Sequence, residues 1–118
     1  MISNKATVHG NAKLGIGDIL SPGTNIHDHS IIGDFVVFNL NSGVGHDSCI
    51  GDFCSFMGLS GVCGNVQVGK EVYFATLATA LPHTKIGDGA EIGPGSIVFK
   101  SVRAGRRVFG NPALPYEF

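Results

Sequence analysis

The chain has 118 residues, 43% of them apolar and only 14% charged, with 18 glycines and a formal net charge of −1. That length gives one domain with its own core, and the near-neutral charge excludes the electrostatic footprint of a nucleic-acid or anionic-lipid binder. The longest nearly apolar stretch, Val72 to Pro82, falls far short of the roughly 18 residues that cross a bilayer. No apolar h-region follows Met1-Ile2-Ser3-Asn4-Lys5, so a soluble, cytoplasmic protein without membrane insertion is expected. The cysteines, Cys49, Cys54 and Cys63, are odd in number and form no CxxC pair, which fits a reducing compartment and argues against a disulfide framework or a Cys-rich zinc site.

Taken in chain order, one pattern dominates. Every sixth residue from Ile2 is Ile2, Val8, Leu14, Leu20, Ile26, Ile32, Phe38, Val44, Ile50, Phe56, Val62, Val68, Phe74, Ala80, Ile86, Ile92, Val98 and Ala104, with no polar residue among them. Four places later in each hexad stands a small or β-branched residue, except at Asp18. A period of six matches neither a helical face nor a long plain strand, so short strands joined by turns remain. Gly15, Gly33, Gly51, Gly69, Gly87 and Gly105 add a superperiod of 18, which makes three hexads one coil.

The pattern therefore predicts a triangular prism with the sixth-residue series inside, each coil stacked about 4.8 Å above the last by parallel pairing. The register is expected to hold from end to end. Phe38, Phe56 and Phe74 fall in one interior column as core. The repeat occupies residues 1–109 as one domain. Residues 110–118 form a tail whose prolines, Pro112 and Pro115, are expected not to continue a paired strand. Outward apolar residues, including Phe35, Val37, Leu59, Tyr73, Leu77 and Phe99, are assigned to the flat sides.

Stacking turns offsets of 18 into spatial neighbours. His46 falls at a corner with its side chain outward; Asp28 lies one coil below and Gly64 one coil above. A neutral histidine beside a carboxylate is the apparatus of a general base. Asp47 or Asp28 can supply the carboxylate, with Asp47 assigned to orient His46, and the Gly64 amide is the natural donor to an oxyanion. His9 and His27, 18 apart, are expected to stack in a structural or interface role. Lys100, Arg103, Arg106 and Arg107 cluster near the last coil, as a solvated end or a phosphate site.

The hexads, together with Asn39, Gly45-His46-Asp47, Ile50-Gly51-Asp52-Phe53, Cys63-Gly64-Asn65-Val66, Ala80-Leu81-Pro82 and Gly110-Asn111-Pro112-Ala113, resemble the hexapeptide-repeat sugar O-/N-acetyltransferases of the sialic acid O-acetyltransferase and UDP-4-amino-sugar N-acetyltransferase group. The resemblance implies a left-handed parallel β-helix of about six 18-residue coils. It implies an acetyltransferase that moves an acetyl group from acetyl-CoA to an amine or hydroxyl of a sugar or nucleotide-sugar of the kind used in polysaccharide biosynthesis. It implies a homotrimer with coenzyme A in a groove between subunits. Carried over by position, CoA contacts fall on Ser55, Thr76 and Pro94, Gly64 serves the acetyl carbonyl, and Asn39 lies near the acceptor.

Three departures stand out. The usual N-terminal nucleotide-sugar domain is expected to be missing, Gly45 replaces an acidic residue, and Ser55 stands where some relatives carry a second histidine. The alternative expectation is a non-catalytic or weakly active β-helix subunit that completes another protein's site. The γ-class carbonic anhydrases share this fold, but their pair of histidines five residues apart has no counterpart here, and no metal site is expected.

Overall fold

The computed structural model describes residues 1–116, so the last two residues of the expected tail, Glu117 and Phe118, lie outside the described residues. The hexads become two-residue strands separated by four-residue turns, stacked into three parallel faces around one core, the expected left-handed parallel β-helix. The first face holds Thr7–Val8, Asn25–Ile26, Gly43–Val44, Gly61–Val62, Thr79–Ala80 and Ile97–Val98. The second holds Ile31–Ile32, Cys49–Ile50, Gln67–Val68 and Lys85–Ile86. The third runs from Ile19–Leu20 through Val37–Phe38, Ser55–Phe56, Tyr73–Phe74 and Glu91–Ile92 to Arg107–Gly110 and Ala113–Pro115. The result is a rod of 39 × 21 × 20 Å.

The second residue of each strand points inward, as the hexad pattern requires. Phe38, Phe56 and Phe74 are fully buried, their rings stacked at 4.9 and 4.7 Å. Each such ring contributes about 1.5–3 kcal/mol by burial alone. The small series fills the space inside each turn: Val36, Cys54, Ser30 and Ser48 are all fully buried. Asp18, which breaks that series, is buried as well; its carboxylate accepts from the N–H groups of Gly15 (2.9 Å) and Val36 (2.9 Å).

Two kinds of turn position explain the composition. One residue per turn adopts a left-handed conformation, and at ten positions it is not glycine; Asp47 has φ 55° and Phe35 φ 54°. The superperiod glycines serve close approach instead: a Cβ on Gly51 would come 2.6 Å from the Gly69 carbonyl carbon and 2.8 Å from the Lys70 nitrogen of the next coil. Glycine here is the residue that lets coils touch backbone to backbone.

Four expectations are corrected. The register shifts in the last coil, where Ile86 pairs with Val102 and Ile92 with Val108, an offset of 16 in place of 18. The turn after Ile97–Val98 is two residues shorter than the others, so Val102 enters the core and Ala104 is exposed. Gly105 consequently lies in a turn with φ 71° instead of between coils. Phe35, Leu59 and Leu77 sit at left-handed turn positions, not on flat faces, whereas Val37 and Tyr73 do lie on a face. Ala113–Pro115 does pair, antiparallel to Arg107–Gly110, because the reversed chain forms an edge strand where proline is tolerated. At the opposite end Ile2 is 51% exposed, since no coil covers it from below.

Candidate active site

Three edges join the three faces, and they differ in chemistry. The edge between the first and second faces is built from the turns at 27–30, 45–48, 63–66 and 81–84. It carries His27, His29, His46 and His83, together with Asp28 and Asp47, and His9 lies in the turn below. The register here is regular: the Asp47 N–H bonds the Asp28 carbonyl at 3.0 Å and the Asn65 N–H bonds the His46 carbonyl at 2.9 Å.

His46 projects outward with its side chain 61% exposed, and its Nδ1 lies 3.0 Å from Asp47 Oδ2. A carboxylate only accepts, so Nδ1 carries the proton and Nε2 presents its lone pair. The ring leans upward over Gly64: a Cβ there would stand 2.5 Å from Nε2 and 2.7 Å from Cε1. Glycine therefore holds open the space the imidazole occupies. Among the described residues the Gly64 N–H finds no acceptor, so it can donate to a carbonyl oxygen that gains charge.

Of the two carboxylates open to the role, Asp47 holds His46, while Asp28 faces the other way, 3.9 Å from His9 Nδ1. His9 and His27 stack as expected, centroids 4.8 Å apart. Among the described residues no group of three or more His, Cys, Asp or Glu side chains is arranged to hold a metal ion.

The remaining site candidates lie elsewhere. Asn39, Thr76 and Pro94 occupy the edge between the third and first faces, and Ser55 is on the third face. Asn39 Nδ2 approaches Met57 Sδ at 3.5 Å, and Thr76 and Pro94 are exposed. One chain thus brings together His46, Asp47 and Gly64, and leaves Asn39, Thr76 and Pro94 across the first face from them.

Sequence reasoning missed the uses of the other carboxylates. On the edge between the second and third faces, Asp34 accepts from the Ile16 N–H, Asp52 from the Asp34 N–H and Asp88 from the Lys70 N–H, each one coil below. Their recurrence at one hexad position was the signal that could have revealed this ladder. Cys54 is likewise structural: its Sγ donates to the Gly69 carbonyl at 3.1 Å, and burial pushes the thiol up to about 11.

The same rod of coils is found in solved acetyltransferases. Within that class the likeness is to the sugar N-acetyltransferases. GDP-perosamine N-acetyltransferase from Caulobacter crescentus, solved as a histidine-to-alanine mutant with CoA and GDP-perosamine, superposes with a TM-score of 0.97 at 27% identity, over 99% of this chain and 56% of that one. The acetyltransferase domain of PglB from Neisseria gonorrhoeae, with acetyl coenzyme A, gives 0.94 at 28% identity over 98% of this chain and 56% of the other. In sequence, 49 residues are 47% identical to YvoF of Bacillus subtilis, assigned as an acetyltransferase, over 42% of this chain and 28% of that protein. No protein-family profile matches the chain. The chain thus spans little more than half of these structures and matches under a third of the curated relative.

Proposed function

We propose that the chain transfers an acetyl group from acetyl-CoA to an amine or hydroxyl of a sugar or nucleotide-sugar. The observation that carries this reading is the His46 ring, tied to Asp47 at 3.0 Å and leaning over a glycine whose N–H is free. The acceptor N–H or O–H gives its proton to His46 Nε2 as its heavy atom bonds to the thioester carbonyl carbon. The Gly64 amide holds the oxygen of the tetrahedral adduct. Collapse then breaks the carbon–sulfur bond, and the imidazolium returns the proton to the departing thiolate. Asp47 fixes the ring and favours its charged form. The base supplies about 10²- to 10⁴-fold and the single oxyanion donor on the order of 10²- to 10³-fold.

The acting species is a homotrimer. Thr76 and Pro94 stand on a different edge from His46, so a second copy that sets its Thr76 edge against the first copy's His46 edge would complete a groove for acetyl-CoA, with Ser55 as a further contact and Asn39 near the acceptor. Exposed Ile31, Leu59, Leu77 and Phe99 give more apolar surface than a lone domain of this size should leave to water. No helix of the described residues is long and apolar enough to cross a membrane, which supports a cytoplasmic setting where acetyl-CoA is available.

The test is thiol release from acetyl-CoA over a panel of nucleotide-linked amino sugars, sialic acids and simple hydroxyl acceptors, with His46→Ala in parallel. Release on at least one acceptor, lost in the variant, is expected. Equal release by both proteins on every acceptor overturns the assignment.

A further inference from the structure

The Gly64 N–H serves an oxyanion only if its direction is fixed, and Gly64 has no side chain to fix it. The constraint comes from inside the prism. Ser48, the last residue of the turn that carries His46, is fully buried, and its Oγ donates to the Cys63 carbonyl at 3.0 Å. That carbonyl and the Gly64 N–H belong to one trans peptide plane, so they point in opposite directions. Holding the oxygen inward turns the N–H outward, toward the edge on which His46 stands. The same Oγ accepts from the Val66 N–H at 3.1 Å. One hydroxyl thus grips both ends of the turn 63–66 and leaves Gly64 between them.

Packing does not require a hydroxyl at this place. Ala12 and Val66 occupy the same position of this edge in other coils, and Val66 is fully buried with no polar atom in its side chain. Burying a hydroxyl costs desolvation that those residues avoid. Nor is the contact general to the series: Ser42, Ser60 and Thr84 donate within their own turns, to the carbonyls of Asn39 at 2.8 Å, Met57 at 2.6 Å and Leu81 at 2.8 Å. Thr24 comes only within 3.4 Å of the Asn39 carbonyl. Ser30 and Ser48, consecutive on the His46 edge, reach the turn above at shorter distances. Ser30 Oγ donates to the Gly45 carbonyl at 2.6 Å and accepts from the Ser48 N–H at 3.2 Å. The peptide it holds is the one that leads into His46.

We infer that Ser48 is a positioning residue for the oxyanion donor: it aims the Gly64 N–H through the shared peptide plane and, by bonding the carbonyl, strengthens that N–H as a donor. The inference deepens the acetyl-transfer reading and rests on it. Closed off from solvent, Ser48 touches neither acceptor nor coenzyme and acts through the turn above. An interaction that strengthens as the thioester oxygen gains charge lowers the barrier without tightening the bound ground state. The effect therefore belongs in kcat and not in KM.

The experiment is steady-state thiol release from acetyl-CoA over the acceptor panel by the parent, His46→Ala, Ser48→Ala, Ser48→Cys and Cys54→Ala, with the melting temperature of each. Cys54 is the control because it makes the same reach on the edge between the second and third faces, to the Gly69 carbonyl at 3.1 Å. Ser48→Ala should lower kcat per folded molecule by about 10-fold with KM for acetyl-CoA unchanged; the loss is smaller than the roughly 10²- to 10³-fold of a missing donor because the amide stays. Ser48→Cys keeps a weaker donor and should fall between Ser48→Ala and the parent. Cys54→Ala should melt at a lower temperature and keep the parent kcat. If Ser48→Ala is unfolded at the assay temperature, Ser48→Cys carries the comparison, with kcat below the parent's at the same KM. The parent kcat in every folded Ser48 variant, a loss confined to KM, or an equal loss of kcat in Cys54→Ala overturns the inference. Where release depends on His46, those results remove the role of Ser48 and leave acetyl transfer standing; release indifferent to His46 removes both.

Discussion

Two edges of the same prism carry all six aspartates and use them in opposite ways. On the edge between the second and third faces, Asp18, Asp34, Asp52 and Asp88 aim their carboxylates at backbone N–H groups, of an adjoining coil in every case and, for Asp18, of its own turn as well. On the edge that carries His46, Asp47 turns away from the backbone to an imidazole, and both side chains are more than half exposed. A carboxylate that accepts from a coil's own N–H groups is spent on holding the stack. One that stands in solvent beside a histidine is free to tune a proton transfer. Residue type is alike on the two edges, but Asp47 stands one place later in its hexad than Asp34, Asp52 and Asp88, at a left-handed turn position, and its hydrogen-bond partner separates site from scaffold.

The sharpest way to break that contrast uses glycine. Gly64→Ala keeps the amide donor but presses a methyl group on the exposed His46 ring, which can move out of place, so activity should fall by about 10²-fold while the melting temperature stays near that of the parent. Gly51→Ala presses on the backbone of the next coil, so it should cost about 1–3 kcal/mol of stability and leave kcat per folded molecule unchanged. Equal loss of activity in the two variants would merge the two edges into one function. Asp47→Asn should lower kcat by less than loss of the base, whose whole contribution is about 10²- to 10⁴-fold, with little change in thermal unfolding. Asp18→Ala should do the opposite. It strands the N–H of Gly15 and the buried N–H of Val36, the latter alone costing about 1–3 kcal/mol, read by denaturant unfolding, with acetyl transfer intact. The smallest effect is chemical: at about pH 8 the Cys54 thiol, raised to about 11 by burial, stays protonated and inert, while half-buried Cys49 and Cys63 react with a thiol reagent. Three thiols reacting at one rate would contradict the packing of the edge between the second and third faces.

Much of this was legible in the hexads because a stacked coil converts spacing directly into contact. The interior column of Phe38, Phe56 and Phe74, the outward His46 and the empty place at Gly64 follow from offsets of 6 and 18. Spacing alone makes Asp28 and Asp47 both neighbours of His46; Asp47, the residue assigned to orient the ring, is the one within 3.0 Å of Nδ1, while Asp28 faces His9. The last coil was not legible. A two-residue shortening there leaves apolar and small residues at every hexad position, with Ala104 still apolar where Val102 has taken its place, so the pattern hides the shift. The separation of Thr76 and Pro94 from His46 was implicit in the hexad count, but it acquires meaning only when the faces are seen to divide the two edges.

The rate of thiol release by the parent and by His46→Ala tests the central claim most directly. Measured with acetyl-CoA and the active acceptor both saturating, the parent should release thiol about 10²- to 10⁴-fold faster than His46→Ala, with the two proteins unfolding at the same temperature. Equal release by the two folded proteins would contradict a proton transfer through His46.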